Sequence, residues 1–160
     1  MAQFEQGDTV PDFTLDTLQG EKVNLYEMLD RAAKGVIVYF YPRAMTPGCT
    51  TEACDFRDSE NSLKSAGYTV IGISPDTVES LQKFTDKESL NFPLASDPDK
   101  TVMTQWGAFG EKKNYGKIVQ GVIRSTVVVD KDRTVREALY NVKATGHVAR
   151  LRKLLGIDPE

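Results

Sequence analysis

Two cysteines, Cys49 and Cys54, are the residues of this 160-residue chain whose type and spacing most directly offer chemistry. They lie in Tyr39-Phe-Tyr-Pro-Arg-Ala-Met-Thr-Pro-Gly-Cys-Thr-Thr-Glu-Ala-Cys54, where an apolar run passes through a Pro/Gly-rich loop into a helical stretch. That helix is predicted from about Thr50 to Ala66, so Cys49 falls at or within its first turn. Backbone N–H groups without intrahelical acceptors meet the positive end of the helix dipole there, and both favour a thiolate over a thiol. A thiolate is the nucleophilic and oxidisable form of cysteine. Thr46, three residues upstream, carries a hydroxyl that can donate to a thiolate or to a bound oxygen. Pro42 and Pro47 stiffen the loop and remove two N–H donors from it. The plain alternative is that Cys49 is a small buried hydrophobe, as most free cysteines are.

Cys54 follows five residues later. In a regular helix that spacing turns the chain about 500° and leaves the Cα atoms roughly 8.7 Å apart. Disulfide geometry needs them within about 7 Å. A permanent Cys49–Cys54 bridge therefore contradicts the predicted helix, and a transient one requires its first turns to unwind.

Other uses of the pair fit less well. Thioredoxin-type exchange uses Cys-x-x-Cys, and the spacing here is Cys-x4-Cys. A structural zinc site takes four ligands, and beyond two cysteines and one histidine only carboxylates are available. No metal or organic cofactor is expected. A Cys–His nucleophile would have to recruit His147, which sits at the start of the last predicted helix and reads as a surface residue.

The rest of the chain bounds the setting. Net charge is −3, with 40% hydrophobic and 27% charged residues, which is ordinary for a soluble globular chain. There is no basic stripe to suggest a nucleic acid or an anionic membrane as partner. The run Gly35 to Tyr41 is far too short to span a bilayer. The N-terminal residues lack a basic segment followed by an apolar one, so a cytoplasmic location with both cysteines reduced at rest is the expectation.

Strand-like and helix-like segments alternate over what reads as one domain, residues 1–160, an α/β architecture with a central mixed sheet flanked by helices. A hairpin is predicted from Asp12–Thr17 and Lys22–Leu25 around Gln19-Gly20. Val36–Tyr41 is a central strand apolar on both faces. Tyr68–Ile73 is a strand, followed by a helix over Thr77–Lys87 with Asp76 as N-cap and Glu79 completing a capping-box-like start. Asp97-Pro98 opens a helix ending near Trp106. Gly107–Gly121 shows no period and reads as a surface loop. Arg124–Val129 and Val135–Tyr140 form a hairpin, and His147–Leu155 a final helix.

With these segments placed, the chain resembles the peroxiredoxins, in particular the bacterioferritin-comigratory-protein (peroxiredoxin Q) subfamily. The family pattern Pro-x-x-x-Thr/Ser-x-x-Cys is met by Pro42, Thr46 and Cys49. The subfamily extension Thr-Pro-Gly-Cys-Thr-x-x-Ala-Cys-x-x-Arg-Asp is met from Thr46 to Asp58. Further likeness covers Gly7–Leu15, Val70–Asp76, Leu90–Asp97 and Gly121–Thr126, nearly the whole chain. The resemblance implies a thioredoxin-like fold with an N-terminal β-hairpin extension. It also implies reduction of hydrogen peroxide and alkyl hydroperoxides. Cys49 would be the peroxidatic cysteine and Cys54 the resolving one, giving an intramolecular disulfide. Thr46 would orient the peroxide, Pro42 would shield the site, and Arg124 would match the active-site arginine. Thioredoxin, or a glutaredoxin-like protein, would be the reductant. Arg43 stands where lysine is common in the subfamily. No cysteine lies near Glu160 to support an intersubunit disulfide, so a monomer is expected. The competing reading is a non-catalytic thioredoxin-fold redox sensor or chaperone-like protein.

Overall fold

The structure, a computed structural model, describes residues 3–114 and 116–158. Met1, Ala2 and Glu160 at the chain ends, Pro159, and Tyr115 within the predicted loop lie outside the described residues. A seven-stranded mixed sheet runs in the order β2-β1-β5-β4-β3-β8-β9. Its strands are β1 (Thr14–Asp16), β2 (Lys22–Asn24), β3 (Gly35–Phe40), β4 (Tyr68–Ser74), β5 (Leu94–Ser96), β8 (Ser125–Asp130) and β9 (Val135–Leu139). The expected α/β architecture is present, with β3 as its central strand. β3 pairs parallel with β4 and antiparallel with β8, and all six of its residues are buried.

That complete burial follows from the two-residue period of a strand with an apolar layer on each face. Val36, Val38 and Phe40 point into one core with Leu25, Leu29, Met103 and Trp106. Ile37, Tyr39 and Tyr41 point into the other with Cys49, Ala53, Phe56, Phe84 and Leu151. The first face is covered by α1 (Leu25–Arg31) and α4 (Thr101–Gln105). The second is covered by α2 (Pro47–Ser65), α3 (Val78–Glu88) and α5 (His147–Leu154). Gly72, in the middle of β4, makes room for an aromatic side chain. A Cβ there would stand 2.8 Å from the Tyr39 ring and 2.9 Å from Leu94. Tyr39 in turn stacks on Phe56 of α2 with ring centroids 4.6 Å apart, which fixes α2 against the sheet.

Several elements differ from expectation. The N-terminal hairpin forms, but its first strand also bridges β5 at Asp16–Ser96 and so joins the main sheet. Leu25 does not extend that hairpin; it begins α1, capped by Asn24, whose side chain accepts from the Glu27 N–H. The N-cap of α3 is Thr77, accepting from Ser80 N, rather than Asp76. The Asp97-Pro98 helix starts late: Lys100 takes a left-handed conformation, and α4 begins at Thr101. Gly107–Gly121 is not a loop. It holds an antiparallel ribbon of β6 (Phe109–Asn114) and β7 (Lys117–Val122), separate from the main sheet.

Candidate active site

The site forms where β3 ends and α2 begins. The intervening loop is fixed to the end of β4: Tyr41 N donates to Ile73 O, and Ala44 N donates to Asp76 Oδ2 at 2.7 Å. Ser74 Oγ donates to the same carboxylate oxygen at 2.8 Å. Met45 sits in the left-handed region at φ 66°, an uncommon conformation for a side chain of its kind, and the chain turns sharply there into the helix. Pro42, half-buried, opens this loop. Thr46 is the N-cap by position, with extended backbone, but its side chain makes no cap hydrogen bond. Its hydroxyl donates to the Arg43 carbonyl at 2.9 Å rather than to the thiol.

α2 begins three residues earlier than the sequence suggested, with Pro47 in its first turn, and Cys49 is its third residue. Cys49 is 1% exposed. Its Sγ accepts from Arg124 Nη2 at 3.3 Å. Gly48 lies against the same guanidinium: a Cβ on it would stand 3.3 Å from Arg124 Nη2 and press on it. Arg124 projects from the short link between β7 and β8, and its carbonyl accepts from Val142 N at 3.0 Å.

The other prong of the same guanidinium is occupied. Arg124 Nη1 donates to Glu52 Oε1 at 2.6 Å, and Glu52 is fully buried. Glu52 lies three residues after Cys49, so both side chains share one helix face. Cys54, five residues on, is half-buried and contacts Glu88 of α3 instead. Both thiols are free, each within the intact helix.

Behind Glu52 stands His147. It is not the surface residue that its position suggested but is 3% exposed. Its Nε2 lies 2.7 Å from Thr126 Oγ1 and 4.0 Å from Glu52 Oε2, the oxygen that has no hydrogen-bond partner among the described residues. Burial pushes the Glu52 carboxyl up from 4.5 to about 7, although Arg124 pulls it down. Burial lowers His147 from 6.5 to about 4, reinforced by the cations Arg150 and Arg124.

These two groups act on stability in opposite directions. The contribution of Glu52 is complete below about 4.5 and is lost as pH rises through about 7. That of His147 is complete above 6.5 and is lost as pH falls through about 4. Relative to wild type, Glu52→Gln should therefore lose stability on acidification from pH 7 to 4.5, and His147→Asn should gain it. Urea midpoints across that range check the signs. Curves parallel to wild type would contradict the buried assignments.

Arg124 thus meets the Cys49 sulfur, while Thr46 and Pro42 lie in the loop that leads into it, with the Thr46 hydroxyl turned to Arg43; Cys54 does not join them. Glu52, Thr126 and the buried state of His147 were missed. Only Glu52 had a readable signal, its i+3 relation to Cys49. A buried thiol at a helix N-terminus, facing a permanent cation, can attack an electrophilic oxygen and have the developing charge stabilised. Among the described residues no cluster of His, Cys, Asp and Glu could hold a metal ion, and no helix is long and apolar enough to cross a membrane.

The chain is similar to known proteins over most of its length. Residues 6–138 match the AhpC/TSA family. A Mycobacterium tuberculosis protein provisionally named a peroxiredoxin is 57% identical over 151 residues, covering 94% of each chain. Peroxiredoxin Bcp of Escherichia coli is 44% identical over 147 residues, covering 92% of each. Among solved structures, a bacterioferritin comigratory protein of Xanthomonas campestris superposes with a TM-score of 0.81 at 33% identity, covering 90% of each chain. The fold is thus the thioredoxin-like one of these neighbours. The chain belongs to the AhpC/TSA family as a peroxiredoxin of the Bcp and peroxiredoxin Q kind, an enzyme that reduces hydroperoxides.

Proposed function

We propose that Cys49 is the peroxidatic cysteine and Cys54 its in-chain resolving partner, in a monomeric cytoplasmic enzyme recycled by thioredoxin. The observation that carries this reading is the Arg124 guanidinium shared between Cys49 Sγ and buried Glu52 at the start of α2. The Cys49 thiolate attacks one peroxide oxygen; the S–O bond forms, the O–O bond breaks, and the departing oxygen takes a proton to leave as water or alcohol. Arg124 stabilises the charge on the departing oxygen. Thr46 exchanges its bond to Arg43 for one to the peroxide, and Pro42 covers the site. The first turns of α2 then unwind. Cys54 thiolate attacks the Cys49 sulfenic sulfur, forming S–S and expelling hydroxide, which is protonated to water. A dithiol reductant restores both thiols. Alkyl hydroperoxides are included as substrates because the Xanthomonas campestris relative is described by its alkyl peroxide reduction.

The test is peroxide-dependent NADPH oxidation coupled through thioredoxin and its reductase, with glutaredoxin run in parallel. Wild type is expected to turn over continuously with thioredoxin. Cys54→Ser should consume one fast equivalent of peroxide per site and then stall. If Cys54→Ser recycles with thioredoxin as fast as wild type, Cys54 is not the resolving residue. A peroxide reaction no faster than that of an ordinary free thiol would favour the redox-sensor reading.

A further inference from the structure

Cys54 has a carboxylate as its side-chain partner where Cys49 has a guanidinium. Its Sγ lies 3.6 Å from Glu88 Oε1, the last residue of α3. The carbonyls of α3 point towards that end, so its dipole is negative where it meets Cys54. The same end is fastened to α2 by two further bonds. Arg57 Nη1 donates to the Glu88 carbonyl at 2.5 Å, and Asn91 Nδ2 donates to the Arg57 carbonyl at 3.2 Å. The charged groups facing Cys54 are Glu88 from α3 and Arg57 and Asp58 from α2. Two of these three are acids, and the cation is already engaged with the Glu88 carbonyl and with Asp58 Oδ1 at 3.0 Å. Burial raises the Cys54 thiol above its ordinary value, with Glu88 and Asp58 adding to the rise against Arg57.

We infer that Glu88 is a positioning residue for the resolving step: it accepts from the Cys54 S–H, holding that sulfur as a thiol against α3 while α2 is wound. Unwinding α2 then does two things at once. It brings Cys54 towards Cys49, and it removes the sulfur from the carboxylate that disfavours its ionisation. The attacking thiolate is thereby formed where and when the sulfenic acid needs it, and little of it is present in the resting enzyme. This inference rests on the reading of Cys54 as the resolving cysteine.

Two measurements on the full chain test it. In a Cys49→Ser background, alkylation of Cys54 by iodoacetamide is followed from pH 6 to 10. Glu88→Gln should move that profile to lower pH and speed alkylation at pH 7 by about two- to fivefold, the effect of removing one partly screened charge. Glu79→Gln, which removes an exposed carboxylate at the other end of α3, should leave the profile in place. In the two-cysteine protein, one equivalent of hydrogen peroxide is added and the Cys49–Cys54 disulfide is timed by acid quench and mass spectrometry. Glu88→Gln should form it about two- to fivefold faster than wild type at pH 7. An unmoved alkylation profile, or a disulfide formed at the wild-type rate, overturns the role of Glu88 alone. Failure of wild type to form the disulfide at all overturns the resolving assignment, and this inference with it.

Discussion

Peroxide consumption is expected to fall by at least about 1,000-fold in Cys49→Ser, because a serine hydroxyl is a far weaker nucleophile than a cysteine sulfur. The substitution is a sharp test because Cys49 is buried among Tyr39, Tyr41, Ala53 and Phe56 and could be held there by packing alone. A packing role predicts a loss of stability with activity intact; a nucleophilic role predicts the reverse. The serine is nearly isosteric and its hydroxyl can still accept from Arg124 Nη2, so the fold is expected to remain intact by circular dichroism and urea unfolding. Stopped-flow peroxide consumption supplies the other half of the comparison. Activity within a few-fold of wild type would remove Cys49 from the chemistry.

Arg124→Met has the next largest expected effect. It removes the cation facing the sulfur and should slow the first turnover by about 100- to 1,000-fold, the usual loss when one preorganised donor to a developing charge is deleted. It also leaves the Glu52 carboxylate buried without its partner, a situation that costs about 3–5 kcal/mol in folded proteins unless the group takes up a proton. The double variant Arg124→Met/Glu52→Gln separates the two losses. Most of the stability should return, since no buried charge remains unpaired, while the rate should stay low. Stopped-flow kinetics and urea unfolding on the single and double variants read both. Equal first-turnover rates in wild type and Arg124→Met would show that the guanidinium serves only the buried ion pair.

The parts of the molecule legible in the sequence are those that depend on local chain chemistry. Val36–Tyr41 could be read as a doubly buried strand because every residue in it is apolar. Cys49 could be placed in a helical first turn because Pro47 and Gly48 precede it. The β6–β7 ribbon escaped because its sequence carries no regular apolar–polar alternation. Ile118 is 65% exposed while Val122 is buried, and the run of Glu111, Lys112 and Lys113 shows no alternation. α1 carried a visible Asn24-to-Glu27 capping signal, but Leu25 was absorbed into the preceding hairpin. α4 was misplaced for a subtler reason. Asp97 does cap, but through Oδ2 to Met103 N, six residues on, with Lys100 turning the chain between them. The contacts that define the site are of another kind. Arg124 meets Cys49 across 75 positions, and Thr126 meets His147 only after α5 packs behind α2. Spacing contains no trace of such encounters.

The position of Glu52 between the two cysteines has one more consequence. Residues 49–54 cannot leave the helix without drawing Glu52 out of its buried pairing with Arg124, so in the cycle proposed above the reduced enzyme is locked by a bond that each turnover must break. In that proposed cycle the sulfenic acid waits while the lock holds, and a second peroxide can carry Cys49 on to the sulfinic acid, which disulfide formation does not recover. On the proposed mechanism the firmness of this one ion pair therefore sets an endurance limit. The tighter it is, the smaller the burst of oxidant at which molecules are permanently retired rather than recycled.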